Sequence, residues 1–126
     1  KEIPTDGWTI VTIEQIAAWN PDTIFIVHYQ GKAVEVVETL KVDANWMLLD
    51  AVKNDRLYAF PLDFQSWDQP DTRWTLGLTW VGASLHPDLY PDFDLITETK
   101  TFYQNFYGIS DELITEEIVP LLKGDF

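Results

Sequence analysis

The sequence predicts an α/β fold, with a small parallel sheet flanked by helices and a helix-rich C-terminal half. Two observations predict it. Residues 23–27 and 56–60 are short runs rich in β-branched, aromatic and aliphatic residues, each bounded by turn residues. Apolar residues between and after them recur at three- and four-residue spacing, the period of helices. Strands therefore alternate with helices first, and helices then dominate. Two strands make a poor sheet on their own, so part of the sheet is expected to lie outside this chain.

Each element follows from local chemistry. Residues 1–7 read as an extended lead-in. Thr12 is a plausible N-cap, with Gln15 as capping-box partner, for a helix running to about Trp19. Pro21 turns Asn20 out of helix. Residues 23–27 lack polar alternation, so this strand is expected to be buried on both faces. A polar loop, 28–32, leads to a helix over about 32–41 carrying Val34, Val37 and Leu40. Residues 45–52 form a short helical turn, and 56–60 a second strand ended by Pro61. A loop over 62–70 precedes a long helix capped by Asp71 and reaching about His86. Its expected apolar face is Trp74, Leu78, Val81 and Leu85, and Pro87 lies beyond its end. Another helix covers 94–107, with Leu95, Thr99, Phe102 and Phe106 on one stripe, and Gly108 stops it. Ser110 caps a last helix to about Leu122, with Pro120 disturbing its end.

The bulk composition excludes several classes. The 126 residues are one domain's worth, and 46% are hydrophobic. A formal charge of -13 argues against non-specific nucleic-acid binding and against docking on anionic lipid. The absence of cysteine excludes disulfides, thiolate metal sites and cysteine nucleophiles. No run of transmembrane length is present. The chain begins Lys1-Glu2-Ile3-Pro4, with no initiator Met, as expected of a processed chain or a fragment.

Several blocks, taken together, resemble a known family. Thr12-Ile13-Glu14-Gln15-Ile16 and Asn20-Pro21-Asp22-Thr23-Ile24-Phe25 come first. Trp46 and Leu49-Asp50-Ala51-Val52-Lys53-Asn54-Asp55-Arg56-Leu57-Tyr58 follow. Ser66-Trp67-Asp68-Gln69-Pro70, Leu76-Gly77-Leu78, Trp80, His86-Pro87-Asp88-Leu89-Tyr90 and Phe102-Tyr103-Gln104-Asn105-Phe106-Tyr107-Gly108 complete the order. These are similar to blocks in the substrate-binding proteins of ABC importers, in the branch serving iron-siderophore, haem and cobalamin uptake. The resemblance implies two α/β lobes joined by one rigid helix, with the ligand in the cleft between. Residues 1–126 match the later part of the C-terminal lobe, a partial Rossmann-like lobe forming one domain. It also implies a periplasmic or extracellular location, with a lipoprotein anchor in the full-length form.

Candidate site residues follow from the resemblance and from topology. The resemblance implies that Glu14 docks on arginines of the permease, and a carboxylate on an exposed first turn suits bidentate contact with guanidinium. The bland reading of Glu14 is a charge complementing the helix dipole. In open α/β sheets ligands bind beyond the carboxyl ends of the strands. That points to the 28–30 and 63–67 loops, with Trp8 expected on the same side. Tyr29, Phe64 and Trp67 could stack on a planar ligand, and His28 could donate a hydrogen bond or ligate a metal centre. Arg73 could meet an anionic group, although an ion pair with Asp71 or Asp68 is the plainer role. Trp19, Trp46, Trp74, Trp80, Phe102 and Phe106 read as core.

Enzyme constellations are poor. There is no HExxH, no glycine-rich phosphate loop and no nucleophile elbow. The expected activity is capture rather than catalysis, with no cofactor. The expected partners are the permease and a metal-complex ligand, with self-association possible through an exposed sheet edge. Two other readings stand beside it. One is a carbohydrate-binding module with Trp67 and Trp74 as a coplanar platform. The other is an interaction domain with no small ligand.

Overall fold

A computed structural model describes residues 7–125; residues 1–6, most of the expected lead-in, and Phe126 lie outside the described residues. Thr12 caps α1 (Ile13–Trp19), its hydroxyl accepting from the Gln15 N–H. Asn20 ends α1 in the left-handed conformation at φ 40°, which asparagine adopts more readily than most residues. The chain then forms β1 (Ile24–Ile26), α2 (Ala33–Lys41), a 3-10 turn at Trp46–Leu48, α3 (Asp50–Lys53) and β2 (Leu57–Ala59). β1 and β2 pair in parallel, with Ile24 opposite Leu57 and Ile26 opposite Ala59. Parallel neighbours need a crossover, and α2 and α3 provide it.

The two faces of this sheet carry separate apolar layers. Ile24, Ile26, Leu57 and Ala59 pack against Ala33 and Val37 of α2. On the other face Phe25, Tyr58 and Phe60 meet Trp80, with ring centroids 5.1–6.2 Å from the indole in edge-on arrangements. That second layer belongs to α4 (Trp74–Leu85), to α5 (Leu95–Tyr107) and to Ile114 and Ile118, which follow the short α6 (Asp111–Leu113). Asp94 caps α5 by accepting from the Thr97 N–H at 2.8 Å. Gly108 ends α5 at φ 64°, a conformation that costs glycine little.

Several expectations need correction. β1 is half-buried rather than buried on both faces, because only one strand flanks it. α4 begins at Trp74, and Asp71 instead folds a turn, accepting from the Arg73 N–H at 2.8 Å. The buried face of α4 is Leu76, Gly77, Trp80 and Ala83, while Trp74 and Leu78 point outward, 46% and 58% exposed. Gly77 selects that face: a Cβ there would sit 2.6 Å from the Trp67 carbonyl oxygen, so only glycine lets helix and loop touch. On α5, Tyr103 is buried and Phe106 is exposed. Trp80 and Phe102 are core as expected, whereas Trp19 and Trp46 are half-buried. The last helix keeps α geometry only over Asp111–Leu113. It widens to a π turn at Ile114–Ile118 and tightens to a 3-10 turn at Val119–Leu121. Pro120 has no N–H to donate and its ring crowds the carbonyl four residues back, so regular α geometry cannot pass through it.

The sheet's two edges differ. Residues 122–125 run along the outer side of β2. Leu62 and Lys123 exchange both backbone hydrogen bonds, and Asp125 takes the Ala59 N–H on its carboxylate at 2.7 Å while donating its own N–H to the Ala59 carbonyl. The Trp80 indole N–H fixes the same segment through the Asp125 carbonyl. Among the described residues β1 has only β2 beside it, so by alternation the Phe25 N–H and C=O face outward on an open edge. Among the described residues no helix is long and apolar enough to cross a membrane.

The strap depends on Gly124, at φ 125° with no room for a Cβ, which would lie 2.7 Å from the Pro61 Cα. Gly124→Ala is expected to cost about 1–3 kcal/mol of stability, read as a lower urea midpoint. An unchanged midpoint would show that the strap bears no stability.

Candidate functional site

The loops after β1 and β2 meet at one end of the sheet. After β1, the His28 Nδ1 accepts from the Gln30 N–H at 3.2 Å, and the His28 carbonyl accepts from the Gly31 N–H. In the neutral ring the proton then lies on Nε2, available to a ligand. Gly31, at φ 73°, turns the chain into α2. Lys32 stands at the N-cap of α2, and no side chain caps the helix's first-turn N–H groups. The Lys123 ammonium lies over this turn, 3.3 Å from where a Cβ on Gly31 would be. Cationic side chains and an uncapped helix N-terminus therefore coincide there.

After β2, a tight reversal pairs Leu62 with Ser66 and leaves Phe64 at its tip, 61% exposed. Tyr29, 55% exposed, donates its hydroxyl to Asp68 at 3.0 Å and so ties the two loops together. Its phenol pKa is pushed up, by burial and then by Asp68, which keeps it a donor. The Ser66 hydroxyl and the second Asp68 oxygen are buried without a partner among the described residues.

Asp63 holds this loop in place. Its side chain is fully buried, and it accepts four hydrogen bonds. The donors are the Gln65 N–H, the Trp67 indole at 3.1 Å, the Arg73 guanidinium at 3.0 Å and the Tyr103 hydroxyl at 2.6 Å. Four donors fill the lone-pair capacity of one carboxylate. Burial, followed by the bond to Asp63, pushes the Tyr103 phenol well up. Arg73 also grips Asp71, whose hydrogen bonds to it hold the Asp71 carboxyl below its ordinary 3.8.

The structure therefore sorts the candidate residues. His28 and Tyr29 lie in the loop after β1 and Phe64 at the tip of the loop after β2, and the Tyr29–Asp68 bond joins the two loops. Trp67 does not offer a stacking face: it is 1% exposed, with its ring in the core and its N–H on Asp63. Its burial also removes the Trp67–Trp74 platform of the carbohydrate-binding reading. Arg73 is committed to Asp63 and Asp71 rather than open to a ligand, and of the two ion pairs expected from sequence the Asp71 one forms. Trp8 is 85% exposed, with no hydrogen bond or ring contact to the loops among the described residues. Glu14 is exposed on the first turn of α1, and the Thr12 hydroxyl beside it holds its carboxyl below the ordinary range. The sequence placed Asp63 and Ser66 only within the 63–67 loop, with no role of their own, and gave no sign of Lys123. Asp63 carried one faint signal, a lone carboxylate just after a strand's terminal proline.

No group of three or more His, Cys, Asp or Glu side chains able to hold a metal occurs among the described residues. Asp63→Ala would strand Arg73 and three other donors. It is expected to cost about 3–5 kcal/mol, seen in thermal or urea unfolding. Asp71 gives a pH test. Its folded pKa lies below the unfolded one, so its contribution is complete above 3.8 and shrinks as pH falls below that value. Asp71→Asn should flatten that part of the acid limb; an unaltered limb would count against the Arg73 pairing.

No family model matches the chain. It is 29% identical, over 105 residues, to the molybdate-binding protein MolA of Haemophilus influenzae, covering 82% of this chain and 29% of MolA. Among solved structures it is similar to a periplasmic solute-binding protein of Veillonella parvula. The TM-score is 0.65 and the identity 30%, over 93% of this chain and 37% of that one. The molybdate-bound MolA structure gives a TM-score of 0.62 at 28% identity, over 79% of this chain and 30% of that one. An ABC transporter solute-binding protein of Sulfurospirillum deleyianum gives 0.63 at 29%, over 85% and 32%. The chain thus spans about a third of the length of the relatives it matches. Its relatives and structural neighbours are solute-binding proteins of ABC transporters, and its α/β architecture is that of part of one lobe of such a protein.

Proposed function

We propose that this chain is part of the C-terminal lobe of a periplasmic or extracellular solute-binding protein that delivers its ligand to an ABC importer, and that the ligand is an oxyanion of the molybdate class. The reading is one of capture, not catalysis. One observation carries the ligand class: the Lys123 ammonium lies over the turn that opens the uncapped α2. Backbone N–H groups, a helix dipole and an ammonium together favour a compact anion. Lys32 and the His28 Nε2 add donors at the same end of the sheet. Molybdate binding by a relative of similar fold supports the same class.

A second reading keeps the same role with a different cargo: an iron-siderophore, haem or cobalamin complex. The exposed rings of Tyr29 and Phe64 favour it, since they could stack on a planar ligand. Calorimetric titration of the complete binding protein with molybdate, and separately with haem and a ferric siderophore, separates the two. Saturable molybdate binding that weakens about tenfold or more in Lys123→Gln supports the oxyanion. Binding of haem or the ferric siderophore alone would replace it with the metal complex.

On this reading Glu14 seats the protein on the permease, with a lipid anchor holding the full-length form at the membrane. Glu14→Ala should leave ligand affinity within about twofold while lowering transport, because Glu14 lies on α1, outside the ligand loops. Undiminished transport would remove Glu14 from that role.

A further inference from the structure

We propose that the chain carries a second ligand site, with a lining separate from the sheet-end loops, for a small organic cation: an ammonium group on an apolar body. The site is a cavity of about 560 Å³ between the C-terminal half of α4, the 87–89 turn and the start of α5. That volume is in the range of small-molecule sites. α4 leaves the 62–70 loop at Trp74, and Ala83 of the cavity lies nine residues on, roughly 14 Å along the helix. The cavity's lining does not include Tyr29, Phe64 or Lys123, although Asp125 lies two residues from Lys123 on the strap.

Its lining specifies the ligand's charge. Four aromatic side chains, Tyr58, Trp80, Tyr90 and Phe93, stand with two carboxylates, Asp94 and Asp125, and no lysine, arginine or histidine lines it among the described residues. Two donors of the lining are spent internally. The Trp80 indole N–H goes to the Asp125 carbonyl, and the Ser84 hydroxyl to the Trp80 carbonyl. Each carboxylate uses one oxygen on a backbone N–H: Asp94 on Thr97, and Asp125 on Ala59. What remains is the second oxygen of each carboxylate, the Tyr58 and Tyr90 hydroxyls, and the rings of Tyr90 and Phe93, since Trp80 is packed in the core. An anion would be repelled by the two carboxylates, with only the Tyr58 and Tyr90 hydroxyls to donate to it. An ammonium is stabilised by ring faces and carboxylates alike.

The cavity is also held in shape. Asp125 belongs to the strap locked on β2, and Trp80 is core. A Cβ on Gly82 would sit 2.9 Å from the Tyr90 hydroxyl, so that ring lies directly against α4. A pre-formed wall of this kind lowers the ordering cost of binding.

The test compares benzylamine with its neutral analogue benzyl alcohol on the 126-residue chain, by calorimetry and by the indole N–H resonance of Trp80. Benzylamine is expected to bind at least tenfold more tightly and to shift Trp80. Asp94→Asn keeps an acceptor for the Thr97 N–H and should lower benzylamine affinity at least fivefold. Ile96→Lys places a competing ammonium at the cavity wall and should abolish binding. Equal binding of the two probes, binding of neither, or wild-type affinity in both variants would overturn the site. So would shifts confined to the Tyr29 and Phe64 loops. None of these outcomes depends on which solute the sheet-end loops hold.

Discussion

The Asp63 carboxylate is the constraint on which the rest of this structure depends. Its donors come from its own loop, from Trp67 four residues on, from Arg73 at the entrance to α4 and from Tyr103 forty residues away on α5. One buried anion thereby fixes the loop after β2, the start of α4 and the middle of α5 in a single arrangement. A buried charge persists only when its bonds are complete, and these are. The cost of leaving any donor unpaired is what makes the arrangement unique. Trp67 illustrates the outcome: its ring is drawn into the core because its N–H must reach Asp63, so the 64–66 reversal is left to present Phe64.

The sheet shows a second constraint. Two strands expose two edges, and unpaired strand edges invite association. On β2 the problem is solved within the chain, by a backbone strap that ends on a carboxylate. On β1 it is not solved among the described residues: Phe25 presents its N–H and C=O, and the Thr23 hydroxyl is buried without a partner there. This asymmetry agrees with relatives about three times as long, and it locates where further sheet would add.

Much of the fold was legible in the sequence, because caps and stops are local. Thr12, Gly108 and Ser110 sit where their chemistry requires, and both strands lie inside the runs that predict them. The face of α4 was not legible. Trp74 and Trp80 are equally apolar, and periodicity cannot choose between stripes on a helix that is apolar nearly all round. The choice is made by Gly77 touching the Trp67 backbone, a contact between distant elements. The same holds for the candidate site. His28, Tyr29 and Phe64 could be placed from the rule that ligands meet strand ends. The same rule reaches the loop holding Asp63 but not its role, and it does not reach Lys123. The four-donor set is assembled by tertiary packing, and residues 122–125 carry no strand pattern although they act as an edge strand.

The mounting of α1 explains why ligand and permease contacts can be separate on the proposed reading. α1 buries no residue fully. The hydrogen bonds that join it to the rest run through Asn20, whose amide donates to the Asp50 carboxylate at 2.6 Å and whose carbonyl accepts from the Asp50 N–H at 3.2 Å. Asn20 thus ends α1 and accepts from the first N–H of α3, and Asn20 first, then Lys53, holds the Asp50 carboxyl below its ordinary range. A helix attached by one polar joint transmits little of what happens in the loops beyond β1 and β2, which are tied instead to Asp63 and Asp68. Coupling between sites needs an element with two arrangements that both sites bias, and among the described residues nothing joins Glu14 to the ligand loops in that way. Communication between a filled site and a permease would then depend on the relative placement of whole lobes, with Glu14 reporting position rather than occupancy.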